Sequence, residues 1–185
     1  MDRDKLVFVV VDVQEKLLGA IYNKEGVVRS CIQLMRLAEV LKIPVILTEQ
    51  YPKGLGPTVE EVIKTYEEVE TEKYKVEKTT FSCVREPAFT DILSSKHRQG
   101  RVQVVLCGIE AHICVCQTAL DLKNYGYKVF VVSDGTGSRR REDHESILNY
   151  FLFKGVEVVP TETVIFSLLE RAGTPEFKAM LPYVK

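Results

Sequence analysis

The segment VVLCGIEAHICVCQTALDL, residues 104–122, indicates the fold most directly. It opens with a run of apolar, β-branched residues that is typical of a strand buried on both faces, and this run breaks at Gly108. From Cys114 onward a helical pattern follows and continues to Gly126, a residue type expected just past the end of a helix. A strand, a glycine turn and a helix in succession predict one unit of an α/β fold.

The same alternation of strand and helix recurs along the whole chain. The spacing of apolar residues from Val27 to Leu41 predicts another helix. Because parallel strands need helical crossovers, the pattern predicts a three-layer α/β/α sandwich in which residues 1–185 form a single domain. Ligands of such sheets bind beyond the carboxyl ends of the strands. The predicted strands are Leu6–Val13, Ile43–Glu49, Arg101–Gly108, Lys128–Asp134, Val156–Pro160 and, more weakly, Tyr74–Lys78.

Composition argues against several classes of partner. The 25 basic and 26 acidic residues give a net charge of -1, and the densest basic run, SRRRED at residues 138–143, is interpreted as a solvated loop or helix start. Nucleic acid is therefore not expected as a partner. No signal peptide is evident, and no apolar run approaches the roughly 20 residues that a membrane span needs. The five cysteines, an odd number without a CxxC pair, predict free thiols in the cytoplasm or in a reducing organelle.

Three chemically interesting side chains follow predicted strands. Asp12 ends the first strand, Lys78 ends the third, and Cys114 follows the fourth after a short loop. Each has an ordinary structural explanation, since aspartate often caps a helix, lysine is usually solvated and a helical cysteine is usually buried packing.

Together the three side chains fit a cysteine nucleophile. A helix start and a nearby cation both stabilise a thiolate, so Cys114 is expected to be kept ionised by its helix and by Lys78. Asp12 is suited to take the thiol proton and pass it to a leaving group. Gly108 allows a sharp turn, after which backbone amides can converge on one point as an oxyanion hole.

The chain resembles the isochorismatase-like cysteine hydrolases, a superfamily that includes nicotinamidases and N-carbamoylsarcosine amidohydrolases, and among them the isochorismatase domain-containing proteins. The most specific motif is Gly–Ile–Glu–x–His–x–Cys–Val within LCGIEAHICVCQTALDL. The resemblance covers almost the whole length, through VVVDVQEKLL (Val9–Leu18), ILTEQYPKGLGPTVEE (Ile46–Glu61), VEKTTFSC (Val76–Cys83), LCGIEAHICVCQTALDL (Leu106–Leu122) and VVSDGTGSR (Val131–Arg139).

The resemblance implies a catalytic triad of Asp12, Lys78 and Cys114. The cysteine would attack an amide or another C–N bond of a small molecule, and water would hydrolyse the covalent, thioester-type intermediate. The resemblance also implies a cis peptide bond between Ile109 and Glu110, with the backbone amides of Glu110 and Cys114 as the oxyanion hole. The implied sheet is Rossmann-like, with six parallel strands in the order 3-2-1-4-5-6.

Two departures from known relatives narrow the expected chemistry. Nicotinamidases bind a divalent metal through an aspartate and histidines after the second strand, where this chain reads TEQYPKGLG and has no histidine. Neither a metal nor another cofactor is therefore expected. Isochorismatases themselves act without the nucleophilic cysteine that this chain keeps, so the family name does not identify the substrate.

Five further residues are candidates for the substrate pocket. Gln14 and Gln50 are placed to donate hydrogen bonds to a ligand, and Tyr51, Phe81 and Ile113 are placed to form its walls. Packing without any contact to a ligand is an equally good interpretation for these five residues.

Relatives often assemble, so a homo-oligomer is expected. Leu168, Leu169 and Met180 near the C-terminus are candidates for contacts between subunits. Two alternatives to a hydrolase remain open from the sequence. One is an interaction protein that kept the fold without catalysis, and the other is a redox-sensing protein that uses a low-pKa Cys114.

Overall fold

The architecture was determined from a computed structural model, which describes residues 1–184. A six-stranded, all-parallel sheet has the order β3-β2-β1-β4-β5-β6, as expected. Its strands are β1 (Leu6–Val11), β2 (Val45–Gln50), β3 (Lys73–Lys78), β4 (Gln103–Ile109), β5 (Lys128–Gly137) and β6 (Glu157–Val159).

Helices cover both faces of the sheet. The side chains of α2, α4, α8 and α9 pack with one face, and those of α5, α6 and α7 pack with the other. A three-layer sandwich results, as predicted. The helices are α1 (Glu15–Leu18), α2 (Lys24–Leu41), α3 (Pro52–Leu55), α4 (Glu60–Glu68), α5 (Pro87–Arg98), α6 (Cys116–Asn124), α7 (Arg141–Phe153), α8 (Thr161–Leu169) and α9 (Pro175–Val184).

The central strand β1 accounts for the site's position. All six of its residues are buried, because β1 pairs with β2 on one side and β4 on the other and is covered on both faces. A strand that is buried on both faces is expected to have a continuous apolar sequence. The carboxyl ends of β3, β2, β1 and β4 therefore lie side by side, and the residues that follow them share one edge of the sheet.

Gly108 has a different role from the turn that the sequence suggested. It lies inside β4, which continues to Ile109, and it pairs with Val11. Its φ is +112°, and a Cβ atom there would lie 2.1 Å from the carbonyl oxygen of Val11. Glycine is required because the backbones of β1 and β4 approach too closely for a side chain.

The expectation that Leu168, Leu169 and Met180 form a surface between subunits is wrong. These side chains are at most 7% exposed and belong to the core on the α2 face of the sheet. Within the chain, they pack α8 and α9 against α2. Across residues 1–184, no helix has the length and apolar character needed to cross a membrane.

Candidate active site

Asp12 and Lys78 form a fully buried ion pair at the carboxyl edge of the sheet. The Nζ atom of Lys78 lies 2.6 Å from Oδ2 of Asp12, and neither side chain is exposed to solvent. Asp12 follows β1 with a φ of +50°, a left-handed conformation that aspartate tolerates better than most residues. Lys78, the last residue of β3, thus reaches across the end of β2 to meet Asp12.

Additional hydrogen bonds hold the Lys78 ammonium in place. It donates to Oε1 of Gln50 at 2.7 Å and to the carbonyl oxygens of Thr80 and Phe81 at 3.2 and 3.3 Å. Burial is the largest single effect and would lower the pKa of Lys78, but the charges of Asp12, Cys83 and Cys114, together with the hydrogen bond to Asp12, raise it above its ordinary value. Lys78 is therefore a fixed positive charge at neutral pH.

Cys114 lies beside this ion pair, in a π-helical turn (Ala111–Val115) that runs directly into α6. The charges of Asp12 and Lys78 both act on its thiol, and the residue is 6% exposed. Burial raises the pKa of the Cys114 thiol to about 12, and the charge of Asp12 adds to the increase while Lys78 opposes it. The expectation that Cys114 is kept ionised is wrong, because burial and the charge of Asp12 outweigh the charge of Lys78.

Glu110 joins the end of β4 to the turn that holds Cys114. The peptide bond between Ile109 and Glu110 is cis. The Glu110 carbonyl oxygen accepts hydrogen bonds from the backbone N–H groups of Ile113 and Val115, at 3.1 and 3.2 Å. The Glu110 carboxylate accepts a 2.9 Å bond from Nε of Arg139, which follows β5. Loops after β4 and β5 are thereby tied together next to the thiol.

The two glutamines have structural rather than ligand-facing hydrogen bonds. The Gln14 amide donates to the carbonyl oxygens of Gln50 and Gly56 and accepts from the Gln50 N–H, at 2.7–3.0 Å, in a fully buried position. Both N–H bonds of Gln14 are used, so its expected role as a donor to a ligand is wrong. Gln50 accepts from Lys78 and donates to the Thr79 carbonyl oxygen, which orients the lysine.

The three predicted wall residues lie around the cluster. Tyr51 and Phe81 are each 55% exposed, and Ile113 is half-buried next to Cys114. Tyr51 also lines a cavity of about 410 Å³ together with Lys78 and Glu86. This cavity reaches the lysine end of the cluster and not the thiol, since Cys114 is not among its lining residues.

The chain as a whole matches a known protein family. The isochorismatase domain model matches residues 7–163. The chain belongs to the isochorismatase domain family. Membership of this family supports a hydrolase function.

Several relatives extend this match over most of the chain. Isochorismatase domain-containing protein 2 of Danio rerio is 38% identical over 172 residues, which cover 93% of this chain and 83% of that protein. Isochorismatase family protein 1B of Dictyostelium discoideum is 36% identical over 178 residues, covering 95% of this chain and 84% of that protein. A solved structure described as the MAR1 ribonuclease of Caenorhabditis elegans has a TM-score of 0.89 and 32% identity, and the match covers 100% of this chain and 91% of that chain.

Among the described residues, the side chains that could bind a metal ion do not cluster. Among residues 1–184, no group of three or more histidine, cysteine, aspartate or glutamate side chains is arranged to hold one. Glu49, the acidic residue near the end of β2, is already bonded on both oxygens. Oε1 accepts from the N–H and hydroxyl of Thr58 at 2.9 and 2.7 Å, and Oε2 lies 3.1 Å from Nζ of Lys75.

Sequence reasoning missed two residues of the site, Thr48 and Cys83. The Thr48 hydroxyl donates to Oδ1 of Asp12 at 2.7 Å, and the Cys83 sulfur lies 3.8 Å from that hydroxyl oxygen. Both residues are fully buried. A signal was available for Thr48, because a hydroxyl in the otherwise apolar start of VILTEQ needs a buried partner.

Proposed function

We propose that this protein is a cysteine hydrolase that cleaves an amide or another C–N bond of a small molecule without a metal ion. The observation that supports it is the buried Asp12–Lys78 pair, with a contact of 2.6 Å, whose charges act on the thiol of Cys114. Burying an ion pair costs desolvation free energy that the attraction between the charges often does not recover. A fully buried pair at the carboxyl edge of the sheet is therefore a candidate for a functional role. Here the pair supplies a base, Asp12, and a fixed positive charge, Lys78, beside the nucleophile Cys114.

In the first half of the proposed reaction, Cys114 attacks the carbonyl carbon of the substrate. Asp12 accepts the thiol proton as the S–C bond forms, since a thiol with a raised pKa is neutral before attack. The backbone N–H groups of Glu110 and Cys114 stabilise the oxyanion of the tetrahedral intermediate. The C–N bond then breaks, and the amine leaves with the proton that Asp12 held.

In the second half, water hydrolyses the thioester. Asp12 accepts a proton from the water molecule as its oxygen attacks the carbonyl carbon, and the same backbone N–H groups stabilise the second oxyanion. The C–S bond breaks, the acid product leaves, and Asp12 returns the proton to the Cys114 sulfur. Throughout the cycle, Lys78 holds Asp12 in place and offsets the negative charge of the cluster.

A panel of small amides and carbamoyl compounds tests this proposal. Wild-type protein is expected to hydrolyse a member of the panel, and Cys114→Ser is expected to lose that activity. Cys116→Ser is the matched control, because it removes a half-buried thiol two residues along the chain. A covalent adduct on Cys114, detected by mass spectrometry of the trapped intermediate, identifies the nucleophile. Equal activity of Cys114→Ser and Cys116→Ser would contradict the proposal.

RNA belongs in the same panel, because the Caenorhabditis elegans relative is described as a ribonuclease. The net charge of -1 gives this chain no broad basic field to bind phosphates. We expect no cleavage of a single-stranded RNA oligonucleotide at protein concentrations that hydrolyse the amide. RNA cleavage by the wild type that is lost in Cys114→Ser would instead identify RNA as the substrate of this site.

The alternative of a redox sensor is less well supported than hydrolysis. Such a sensor requires a low-pKa thiol, whereas burial raises the pKa of Cys114 to about 12. If the protein instead served only to bind a partner, without catalysis, no substrate in the panel would be turned over.

We further propose that the protein acts in the cytoplasm as a homo-oligomer. Its five cysteines are free, which suits a reducing compartment. On α7, Leu152 and Phe153 are 58% and 83% exposed, and these apolar side chains are candidates for a subunit contact. Light scattering is expected to give a mass above that of one chain, and Phe153→Glu is expected to reduce it. A monomeric wild-type protein would rule out the oligomer.

A further inference from the structure

Thr48 is the one β2 side chain that donates a hydrogen bond to the carboxylate of Asp12. It lies on β2, between β1 and β3, and it is fully buried. Its hydroxyl donates to Oδ1 of Asp12 at 2.7 Å, while Lys78 donates to Oδ2 at 2.6 Å. Each carboxylate oxygen thus has one fixed donor, and the plane of the carboxylate is set by two different strands.

A second buried group completes a chain of hydrogen bonds to Asp12. The Cys83 sulfur lies 3.8 Å from the Thr48 oxygen. Because Thr48 has a single hydroxyl proton and gives it to Asp12, Cys83 must be the donor in this contact. Burial raises the pKa of Cys83 to about 11, so the thiol keeps its proton at neutral pH. The Cys83 backbone is held by a 3.0 Å bond from its N–H to the Thr118 hydroxyl.

We propose that Thr48, supported by Cys83, is a positioning residue that holds the Asp12 carboxylate toward Cys114 and shares its negative charge. This inference rests on the proposed function, in which Asp12 accepts the proton of Cys114. Hydrogen bonds to a carboxylate spread its charge, and chains of such bonds polarise one another. Without Thr48, the unshared charge of Asp12 would make loss of the Cys114 proton harder.

The electrostatic surroundings of Cys114 give this effect a definite sign. Besides burial, the titratable groups that face the thiol are Asp12, whose charge raises its pKa, Lys78, whose charge lowers it, and Cys83, which is uncharged at neutral pH. Thr48→Val keeps the shape of the side chain but removes the donor to Asp12. The thiolate of Cys114 then forms less readily, and a reagent that reacts with thiolates should react more slowly.

The experiment measures the rate at which iodoacetamide alkylates Cys114, by peptide mass spectrometry across a range of pH. We expect Thr48→Val to slow alkylation about 10- to 100-fold, which is the range for losing a hydrogen bond to a charged group. The pH dependence of the alkylation rate should also shift to higher pH. Thr48→Ser should restore the wild-type rate because it keeps the hydroxyl. Thr65→Val is the matched control, since Thr65 is also buried but donates to the Glu61 carbonyl oxygen on α4.

A purely structural role of Thr48 predicts the opposite result. Loosening of the core would expose Cys114 and speed alkylation, so a faster or unchanged rate in Thr48→Val would overturn the inference. Asp12→Asn separates this failure from failure of the proposed function. That variant should speed alkylation, because the charge of Asp12 raises the pKa of the thiol, and it should abolish hydrolysis. If Asp12→Asn leaves alkylation unchanged, then the proposed pairing of Asp12 with Cys114 is itself wrong.

Discussion

Substitution of Lys78 by methionine tests the electrostatic basis of the site without knowledge of the substrate. The ion pair with Asp12 has no solvent exposure on either side, and methionine fills a similar volume without a charge. The substitution leaves a buried carboxylate without its cation, with Thr48 still donating to Oδ1. Breaking one side of a buried pair costs about 3–5 kcal/mol. This is a large share of the roughly 5–15 kcal/mol that stabilises a typical domain.

Urea unfolding at neutral pH measures the effect. Because the chain has no tryptophan, far-UV circular dichroism is the suitable signal. The control is Lys128→Met, which breaks a 2.8 Å ion pair to Glu157 with side chains about half exposed and should cost less than about 1 kcal/mol. Combining Lys78→Met with Asp12→Asn should cost less than the sum of the two single changes, by up to about 3 kcal/mol, because both charges then leave together.

Two results would refute this reasoning. One is a loss of stability in Lys78→Met no larger than that in Lys128→Met, which would mean that the charge is not buried in solution. The other is additivity of the Lys78 and Asp12 substitutions within about 0.5 kcal/mol, which is the behaviour of independent sites.

Three further predictions concern pH and backbone geometry. Since the pKa of Cys114 is raised to about 12, its alkylation rate in wild type should rise about tenfold per pH unit without a plateau near neutral pH, and an early plateau would contradict the raised value. Gly108→Ala should lose more than about 2 kcal/mol of unfolding free energy, against about 1 kcal/mol for Gly126→Ala, which has a positive φ but open space around it. Burial of Glu49 is the largest single effect and opposes its ionisation, but the two hydrogen bonds from Thr58 and the ion pair with Lys75 together lower the pKa below 4.5. The carboxylate therefore adds stability above about pH 4.5, and this stability is lost as the pH falls through the lowered pKa. In urea unfolding measured against pH, Glu49→Gln should weaken the loss of unfolding free energy at acidic pH. An unchanged loss would contradict the lowered pKa of Glu49.

Most strands were predictable because they are short apolar runs, a pattern typical of the interior of a parallel sheet. The predicted Leu6–Val13 became Leu6–Val11, and the predicted Lys128–Asp134 extends to Gly137. Strand ends depend on pairing with neighbours, which no local pattern contains. The weak prediction at Tyr74–Lys78 corresponds to β3, an edge strand whose alternating polar residues reflect its partial exposure.

The identity of the site residues was easier to predict from the sequence than the ionisation state of Cys114. Local spacing indicated a helix start and a cation for Cys114, yet the tertiary surroundings raise its pKa to about 12. The electrostatic balance depends on how completely water is excluded and on which charges lie nearest. Gln14 shows the same limit, since an amide near a strand end serves a ligand or a backbone equally well until its partners are known.

By itself, the sequence determined the layer architecture and placed Asp12, Lys78 and Cys114 at the carboxyl ends of strands, which share one edge of a parallel sheet. The strand order that makes them neighbours followed from the resemblance to the isochorismatase-like hydrolases. Only the tertiary structure decided how those residues interact. It placed Lys78 across the end of β2 on Asp12, added Thr48 and Cys83 behind the carboxylate, and buried the thiol so that it stays neutral. Burial and charge act through space between residues that are distant in the chain, and that is why they become visible only in the folded protein.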